Sequence, residues 1–463
     1  MQTSDLTHTN SINEKSTFRW TILVTSMAFI VAQLDVSIVN IALPQIAQTF
    51  KIDISGLQWI VDGYTLAFAV LMLSAGNLSD LFGAKRLFQV GIFTFGVASV
   101  LCGFATTATM LIIARVMQGL GSAIMIPSSL SVLNQTFADV PQKRSKAVGF
   151  WTAAGSAAIA AGPIIGGIIV ELSDWRYIFF INAPLCLGAI LLTSRLNQPF
   201  KKPVFKGFDP FGQITWMASI TLLIAALIEW PQLGIQSPVI YGSLILGSCC
   251  FALFIILEKK VKYPMLPLNL FTSPSFNVLL FVGAVLNGFY YGTVFILSLY
   301  LQKVLGYTPF ISGLAFLPLT VGFVISNVLS GGIINRFGIR LPILCGLLIF
   351  GIGFAGLFIA GNQTPFWQLS IPFLLISLGM GMAVPAMTTG ILSSVHKNLS
   401  GTASAALNTA RQASGAAGVA ILGAIAAGGN SAILHTIGLS AFAAIVLTII
   451  VFALVFIYLE KKK

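Results

Sequence analysis

Charged side chains are the first thing this sequence lacks. Asp, Glu, Lys and Arg make up only 8% of its 463 residues, while 57% are hydrophobic. A soluble protein is about 25% charged. So few ionic groups cannot clothe a water-facing surface, which excludes a soluble enzyme, a disordered scaffold and a nucleic-acid-binding protein. Acids are scarcer than bases, 13 against 25, and none lies between Lys259 and Leu459. Carboxylate chemistry therefore belongs to the first half of the chain. Histidine is nearly absent: there are 3, none in the middle of an apolar segment. An intramembrane enzyme would need a His–Asp, Ser–His or metal constellation, so no catalytic activity, metal or cofactor is expected. The five cysteines (Cys102, Cys186, Cys249, Cys250, Cys345) lie in apolar runs without metal-ligand spacing, and read as reduced packing residues.

Long apolar runs are present in their place. A bilayer-spanning helix needs about 20 mostly apolar residues. Fourteen segments qualify: 20–43, 57–78, 87–107, 109–134, 146–170, 176–194, 211–230, 238–257, 276–301, 311–334, 341–361, 366–394, 403–427 and 436–458. Their continuous hydrophobicity, without period-two alternation, specifies helices and not a barrel. Residues 1–19 are polar, and the run that follows is too long for the core of a cleavable leader. Of the 25 basic residues, 20 fall at one set of segment ends, among them Lys85, Arg86, Lys143, Arg144, Lys201, Lys202, Lys259, Lys260 and Lys461 to Lys463. The opposite ends carry only Lys51, Arg176 and Lys303. Basic loops stay in the cytoplasm, so both termini are expected there. The net charge of +12 is thus a topology signal and an attraction to anionic lipid, with no nucleic acid implied.

An internal repeat orders the helices. Gly76-Asn77-Leu78-Ser79-Asp80-Leu81-Phe82-Gly83-Ala84-Lys85 echoes Gly331-Gly332-Ile333-Ile334-Asn335-Arg336-Phe337-Gly338-Ile339-Arg340 at an offset of 255. Gly119-Leu120-Gly121 echoes Gly379-Met380-Gly381 at an offset of 260. Repeated halves are a transporter architecture. The organisation expected is an all-α membrane protein: a tail (1–19), a six-helix bundle (20–195), a two-helix insert (205–258), a second six-helix bundle (274–458) and a basic tail (459–463).

Several motifs resemble the major facilitator superfamily and, within it, the fourteen-helix drug/proton antiporters. Leu34-Asp35-Val36-Ser37-Ile38-Val39-Asn40-Ile41-Ala42-Leu43-Pro44 is similar to that family's first-helix signature. Gly76 to Arg86 resembles the superfamily loop motif, with Leu81 and Ala84 where basic residues usually stand. Leu111 to Ala123, with Arg115, Gln118, Gly119 and Gly121, resembles the fourth-helix motif. Gly155 to Gly167 resembles the antiporter motif of the fifth helix. The resemblance implies a major facilitator fold and proton-driven multidrug efflux of lipophilic, often cationic compounds by alternating access. It implies a bacterial cell (inner) membrane location, a monomer, and a periplasmic adaptor protein as a candidate partner. The alternative within the same superfamily is a carrier of one defined metabolite, such as an amino acid or siderophore.

Intramembrane charge is costly, roughly 2.5–3.5 kcal/mol per residue on insertion scales, and by default marks function. Asp35, Asp62 and Arg115 are the candidates for proton coupling. Measured from the segment ends, all three lie about 8–10 Å from one membrane boundary at 1.5 Å per residue, so a shared charged layer is expected. Asn40, Gln58, Gln118, Asn287, Tyr290 and Tyr291 are the candidate cavity lining. On the first helix, Gln33, Ser37 and Asn40 share a stripe roughly opposite Asp35, and periodicity does not decide which face lines the path. Conformational gating is assigned to Gly76, Asp80, Gly83, Lys85 and Arg86, to the fifth-helix run Gly155, Gly162, Pro163, Gly166 and Gly167, and to Arg411, expected near a helix end. Glu229 is expected to be solvated.

Overall fold

The computed structural model describes residues 2–137, 140–194, 209–396 and 399–459, without the side chains of 2–17, Gly76, Asn77, Asp80, Leu81, Pro141 and Ser145. Among the described residues there are fourteen long helices and no strand. The first six are α1 (Gln2–Phe50), α2 (Ile54–Phe82), α3 (Ala84–Gly103), α4 (Ala108–Thr136), α5 (Pro141–Leu172) and α6 (Tyr177–Ser194). The insert is α7 (Pro210–Leu233) and α8 (Pro238–Lys260). The last six are α9 (Pro274–Val304), α10 (Pro309–Phe337), α11 (Arg340–Ile359), α12 (Phe366–Ser393), α13 (Ser400–Ile425) and α14 (Asn430–Tyr458). Thirteen are long and apolar enough to cross a membrane. The other, α13, is diluted by Ala, Gly, Ser and Thr, and it packs against α2, α7 and α9 in the middle of the molecule. Lys201, Lys202 and the rest of the basic loop before α7 lie outside the described residues.

The repeat is visible in the backbone. Gly83 ends α2 with φ +86° and Gly338 ends α10 with φ +78°, a region that other residues adopt only under strain. Close helix crossings repeat too, in a register that differs from the expected one. A side chain on Gly121 would strike the backbone of Gly91 and Phe95; one on Gly379 would strike that of Gly346 and Phe350. Gly91/Gly346 and Phe95/Phe350 keep the offset of 255. Gly121 therefore corresponds to Gly379, an offset of 258 instead of 260. The glycines match because both crossings need bare backbone; their neighbours in sequence mislead the alignment by two residues.

Hydrogen bonds between the bundles gather at the ends opposite the basic loops. Gln58 Nε2 donates to the carbonyls of Val419 (2.9 Å) and Ala420 (2.6 Å). Ser298 Oγ donates to the Asn40 carbonyl, and Gln302 Nε2 to that of Ile41 at 3.0 Å. The Phe310 amide donates to Glu171 Oε2 at 3.0 Å. The insert docks on α2 at this seam. Ser55 Oγ donates to the Ile228 carbonyl (3.1 Å), Trp59 Nε1 to Glu229 Oε1 (2.6 Å) and Gln213 Nε2 to the Val70 carbonyl (2.8 Å). Glu229 is accordingly half-buried and bonded, not solvated. Trp59 of α2 is what holds it.

The matched crossings predict that Gly121→Val and Gly379→Val each destabilise the purified protein, by about 1–3 kcal/mol for an overpacked contact. Similar losses in melting temperature support the equivalence. A large loss at one position and none at the other contradicts it.

Candidate functional site

The first bundle encloses a sealed polar knot. Asp35 on α1 and Arg115 on α4 form an ion pair, with exposures of 0% and 1%. Arg115 Nε also donates to the Ile60 carbonyl (3.1 Å) and Nη1 to Gln118 Oε1 (2.9 Å). Arg115 and Gln118, three residues apart on α4, share a face. Gln118 Nε2 reaches Asp35 Oδ1 (3.1 Å) and Ser99 Oγ (3.0 Å). Asn182, near the start of α6, sends Nδ2 to the same two acceptors, at 3.2 and 3.0 Å. Ser99 Oγ completes the chain by donating to the Phe179 carbonyl at 3.0 Å. The guanidinium lies 4.5 Å from the Tyr64 ring centre, and Tyr64 bonds Ser122 at 2.8 Å. A buried ion pair persists only where hydrogen bonds satisfy its remaining groups, and here α1, α3, α4 and α6 all contribute. Gln118, expected in the cavity lining, belongs to this knot. Asn182 and Ser99 were missed; each interrupts an apolar run, and that interruption was the available signal.

Asp62 is placed differently. It is 0% exposed, and neither carboxylate oxygen has a hydrogen-bond partner among the described residues. It stands on α2 four residues from Gln58 and four from Leu66. Gln58 bonds α13, and Leu66 packs with Ala416 and Ala420 of α13. By helix periodicity Asp62 shares that stripe, on the seam between the bundles.

α1 runs through Pro44 to Phe50, so Asp35 lies about 22 Å from its own helix end at 1.5 Å per residue, against about 10–12 Å for Asp62 and Arg115 from theirs; the ion pair nevertheless brings Asp35 level with Arg115, whose Nε meets the carbonyl of Ile60, two residues from Asp62. Proline removes one donor without stopping the helix, so the apolar stretch ended before the helix did. The knot draws Asp35 to Arg115; Asp62 stays apart. The two faces of α1 are also resolved. Asp35 faces α4 and α6, Ser37 abuts Gly162 of α5, and the Asn40 carbonyl meets Ser298 of α9. Asn40 Nδ2 bonds the Val36 carbonyl at 3.0 Å. Gln58 is a strut between bundles, fully buried and bonded to α13.

The fifth-helix run packs α5 against two neighbours. Added side chains would meet the Phe29 ring at Gly155, Ser37 at Gly162 and Ile38 at Gly166, all on α1. At Gly167 one would meet Pro309 and Phe310 of α10, and Gly313 abuts the Pro163 carbonyl. The small residues thus span an intrabundle contact and the seam between bundles. Lys85 Nζ donates to the Ser194 carbonyl at the end of α6 (3.3 Å), with Arg86 beside it at the surface. Gly76 and Asp80 belong to the stretch of α2 whose side chains lie outside the described residues.

In the second bundle Asn287 is buried, with Nδ2 bonded to the Gly283 carbonyl at 2.8 Å. Tyr290 and Tyr291 meet edge to face at 5.4 Å. Arg411 is not near a helix end. It sits about 16 Å from Ser400 along α13, close to Gly283 of α9, with Nη1 reaching Asn408 Oδ1 at 3.5 Å.

Two helical bundles joined by a seam, with buried charge in one of them, define a multi-pass membrane carrier. Residues 25–419 match the sequence profile described as Major Facilitator Superfamily, and the chain belongs to that superfamily. It is 37% identical over 407 residues to "Methylenomycin A resistance protein" of Bacillus subtilis, covering 87% of this chain and 86% of that one. It is 32% identical over 420 residues to "Multidrug resistance protein Stp" of Mycobacterium tuberculosis, covering 90% and 77%. It is 33% identical over 412 residues to "Tetracenomycin C resistance and export protein" of Streptomyces glaucescens, covering 88% and 76%. Two solved structures share the fold. One is a bacterial homologue of the human lysosomal transporter Spinster, inward-facing and unoccupied, with TM-score 0.67 at 17% identity, covering 96% of this chain and 97% of that one. The other is a peptide transporter in complex with sulfate, with TM-score 0.72 at 14% identity, covering 94% of both.

The two carboxylates predict opposite responses to neutralisation. Asp35→Asn strands Arg115 and costs about 3–5 kcal/mol. Asp62→Asn removes no bond and leaves stability unchanged or raised. Thermal unfolding of the purified variants distinguishes them; equal losses contradict the assignment.

Proposed function

We propose that this chain is a proton-coupled exporter of lipophilic, mostly cationic drugs or toxic compounds, a carrier without catalytic chemistry, working as a monomer with both termini in the cytoplasm. A periplasmic adaptor is a candidate for taking the cargo onward. The named relatives support the export of drugs, and the basic loops support the orientation.

One observation carries the coupling: a fully buried carboxylate without a partner, Asp62, on the stripe of α2 that meets the opposite bundle. An ionised carboxylate in that position costs several kcal/mol, so the closed seam is compatible with a neutral, protonated Asp62. Opening the seam on the outer side hydrates the group, releases cargo and loads a proton. Protonation then favours closure on that side. Opening toward the cytoplasm exposes Asp62 to cationic cargo, which displaces the proton. Each ligand shifts the two-state equilibrium through its different affinity for the two states. Asp35, already neutralised by Arg115, keeps the first bundle rigid as it rocks. Gly155, Gly162 and Gly166 hold α5 to α1, and Pro163 and Gly167, packed against α10, form the surface over which the bundles move.

In vesicles with an imposed proton gradient, Asp62→Asn is expected to abolish uphill drug transport while downhill exchange of labelled drug continues. Full coupled transport by this variant removes Asp62 from the mechanism. Gly162→Leu is expected to reach the membrane at normal levels and to lose both modes. Retention of either mode contradicts the sealing role of α5.

A further inference from the structure

The second bundle holds a cation in the interior of a helix and no anion to match it. Arg411 stands about 16 Å along α13 from Ser400 at 1.5 Å per residue, half-buried, with its stem against Gly283 of α9. A guanidinium carries five N–H donors. Among the described residues this one makes a single hydrogen bond, from Nη1 to Asn408 Oδ1 at 3.5 Å. Nε is buried without a partner; Nη2 has none either and, unlike Nε, is not enclosed by protein. The ion pairs of the described residues are Asp35–Arg115 and Asp174–Arg176. No acid occurs between Lys259 and Leu459, so the bundle supplies no counter-ion of its own.

The contacts of α13 fix where this residue looks. Leu407, Ser414 and Gly418 lie against α9. Ala416 and Ala420 pack with Leu66 of α2 and Ile228 of α7. Ala406, Thr409 and Ala410 border an apolar cavity walled by the insert. Ser404, Asn408, Arg411 and Gly415 recur at steps of four, three and four and form the remaining stripe, across the helix from the insert. It faces the space between the bundles. Ser404, Asn408 and Arg411 are half-buried there, and the Tyr291 ring closes the stripe at Gly415. The acid on the facing helix does not reach it. Gln58 meets Val419 and Ala420, and Leu73 lies across from Ala406, so α2 and α13 run antiparallel and Asp62 comes level with Ala416. Arg411 is about 8 Å nearer the basic end at 1.5 Å per residue, and no ion pair joins the two. The side-chain bonds from Gln58 lie toward the other end of α13, so the stripe is approached from the basic end, whose field draws anions.

We infer that Arg411 binds the acid group of a lipophilic organic anion, such as a carboxylate, that enters the space between the bundles. An arginine inside a membrane-embedded fold normally faces a partner or a cavity, and here the partner comes from outside the chain. Guanidinium and carboxylate make charge-assisted hydrogen bonds, which are the strong ones. Asn408 steadies the guanidinium and leaves Nη2 for the ligand. The Tyr291 ring at one end of the stripe, with Leu407 and Met387 beside Gly283, suits a ligand whose body is apolar. The site goes beyond the proposed export of cations, because it gives the same space a cargo of opposite charge. It concerns binding alone and stands whether or not Asp62 couples transport to protons.

The probe is 1-naphthylacetate, a lipophilic carboxylate, with 1-naphthylacetamide as the neutral molecule of the same shape. The full chain in phosphatidylcholine nanodiscs is held on scintillant beads and equilibrated with tritiated 1-naphthylacetate at neutral pH. Unlabelled acid should displace the label at about tenfold lower concentration than the amide, the gain of a hydrogen bond to a charged group. Arg411→Gln should bind the two equally, and Arg411→Lys, which keeps the charge, should keep part of the preference. If Arg411→Gln fails to fold, Asn408→Asp takes its place: by giving Arg411 a counter-ion it should raise the melting temperature and abolish the preference. Equal affinity of the native chain for acid and amide overturns the inference, as does a preference that survives these neutralising variants. So does displacement of the label by inorganic phosphate as effective as by the acid, or loss of binding in phosphatidylglycerol nanodiscs. Those results would identify a free ion or a lipid headgroup as the occupant.

Discussion

An ionised group held inside a bilayer-embedded fold must be matched or neutralised, and the arrangement of this protein follows from that constraint. Asp35 is matched: Arg115 faces it, the Gln118 and Asn182 amides donate to its other oxygen, and Ser99 accepts from both amides. This knot ties four helices of the first bundle together. Asp62 is unmatched. A fixed cation beside it would make a second structural pair. Without one, its charge state depends on whether the seam around it is open to water. The same side-chain chemistry is thus paired at one site and, in the proposed mechanism, switchable at the other, and local environment makes the difference.

The second bundle has no acid at all between Lys259 and Leu459, and its contribution to coupling is shape. α13 illustrates this. Its Ala, Gly and Ser residues let α2 and α9 approach closely, with Gly418 against Gly288 and Gly423 against Gln58. Small residues are the usual means of close packing where lipid removes the hydrophobic drive between helices. The seam this produces is thin enough to be broken and remade, held by a few side-chain bonds to backbone carbonyls such as those of Gln58 and Gln302. The insert braces one edge of the seam through Ser55, Trp59 and Gln213. It also walls the cavity beside it.

Much of this was legible from the sequence. The fourteen apolar runs each match one helix, with ends that differ by a few residues, because length and hydropathy are what a bilayer demands. The Phe-Gly echo marked the two equivalent helix ends, because only glycine takes the positive φ found at Gly83 and Gly338. The candidate charges were found because intramembrane charge is rare. Their relation to each other was not legible. Hydropathy marks where the apolar run ends and not where the helix ends, since α1 continues past Pro44 to Phe50, and it does not say that Asp35 takes Arg115 as its partner while Asp62 takes none. The partners of Asp35 come from α3, α4 and α6, far apart in sequence, so no local spacing announces them.

The account rests on cargo displacing a proton from Asp62. The most direct measurement is proton release from the purified chain in weakly buffered detergent solution on addition of a lipophilic cation such as tetraphenylphosphonium. The native chain should release a proton on binding, and Asp62→Asn should bind the cation without releasing one. Equal release from the two would contradict the account and move the exchangeable proton to another group.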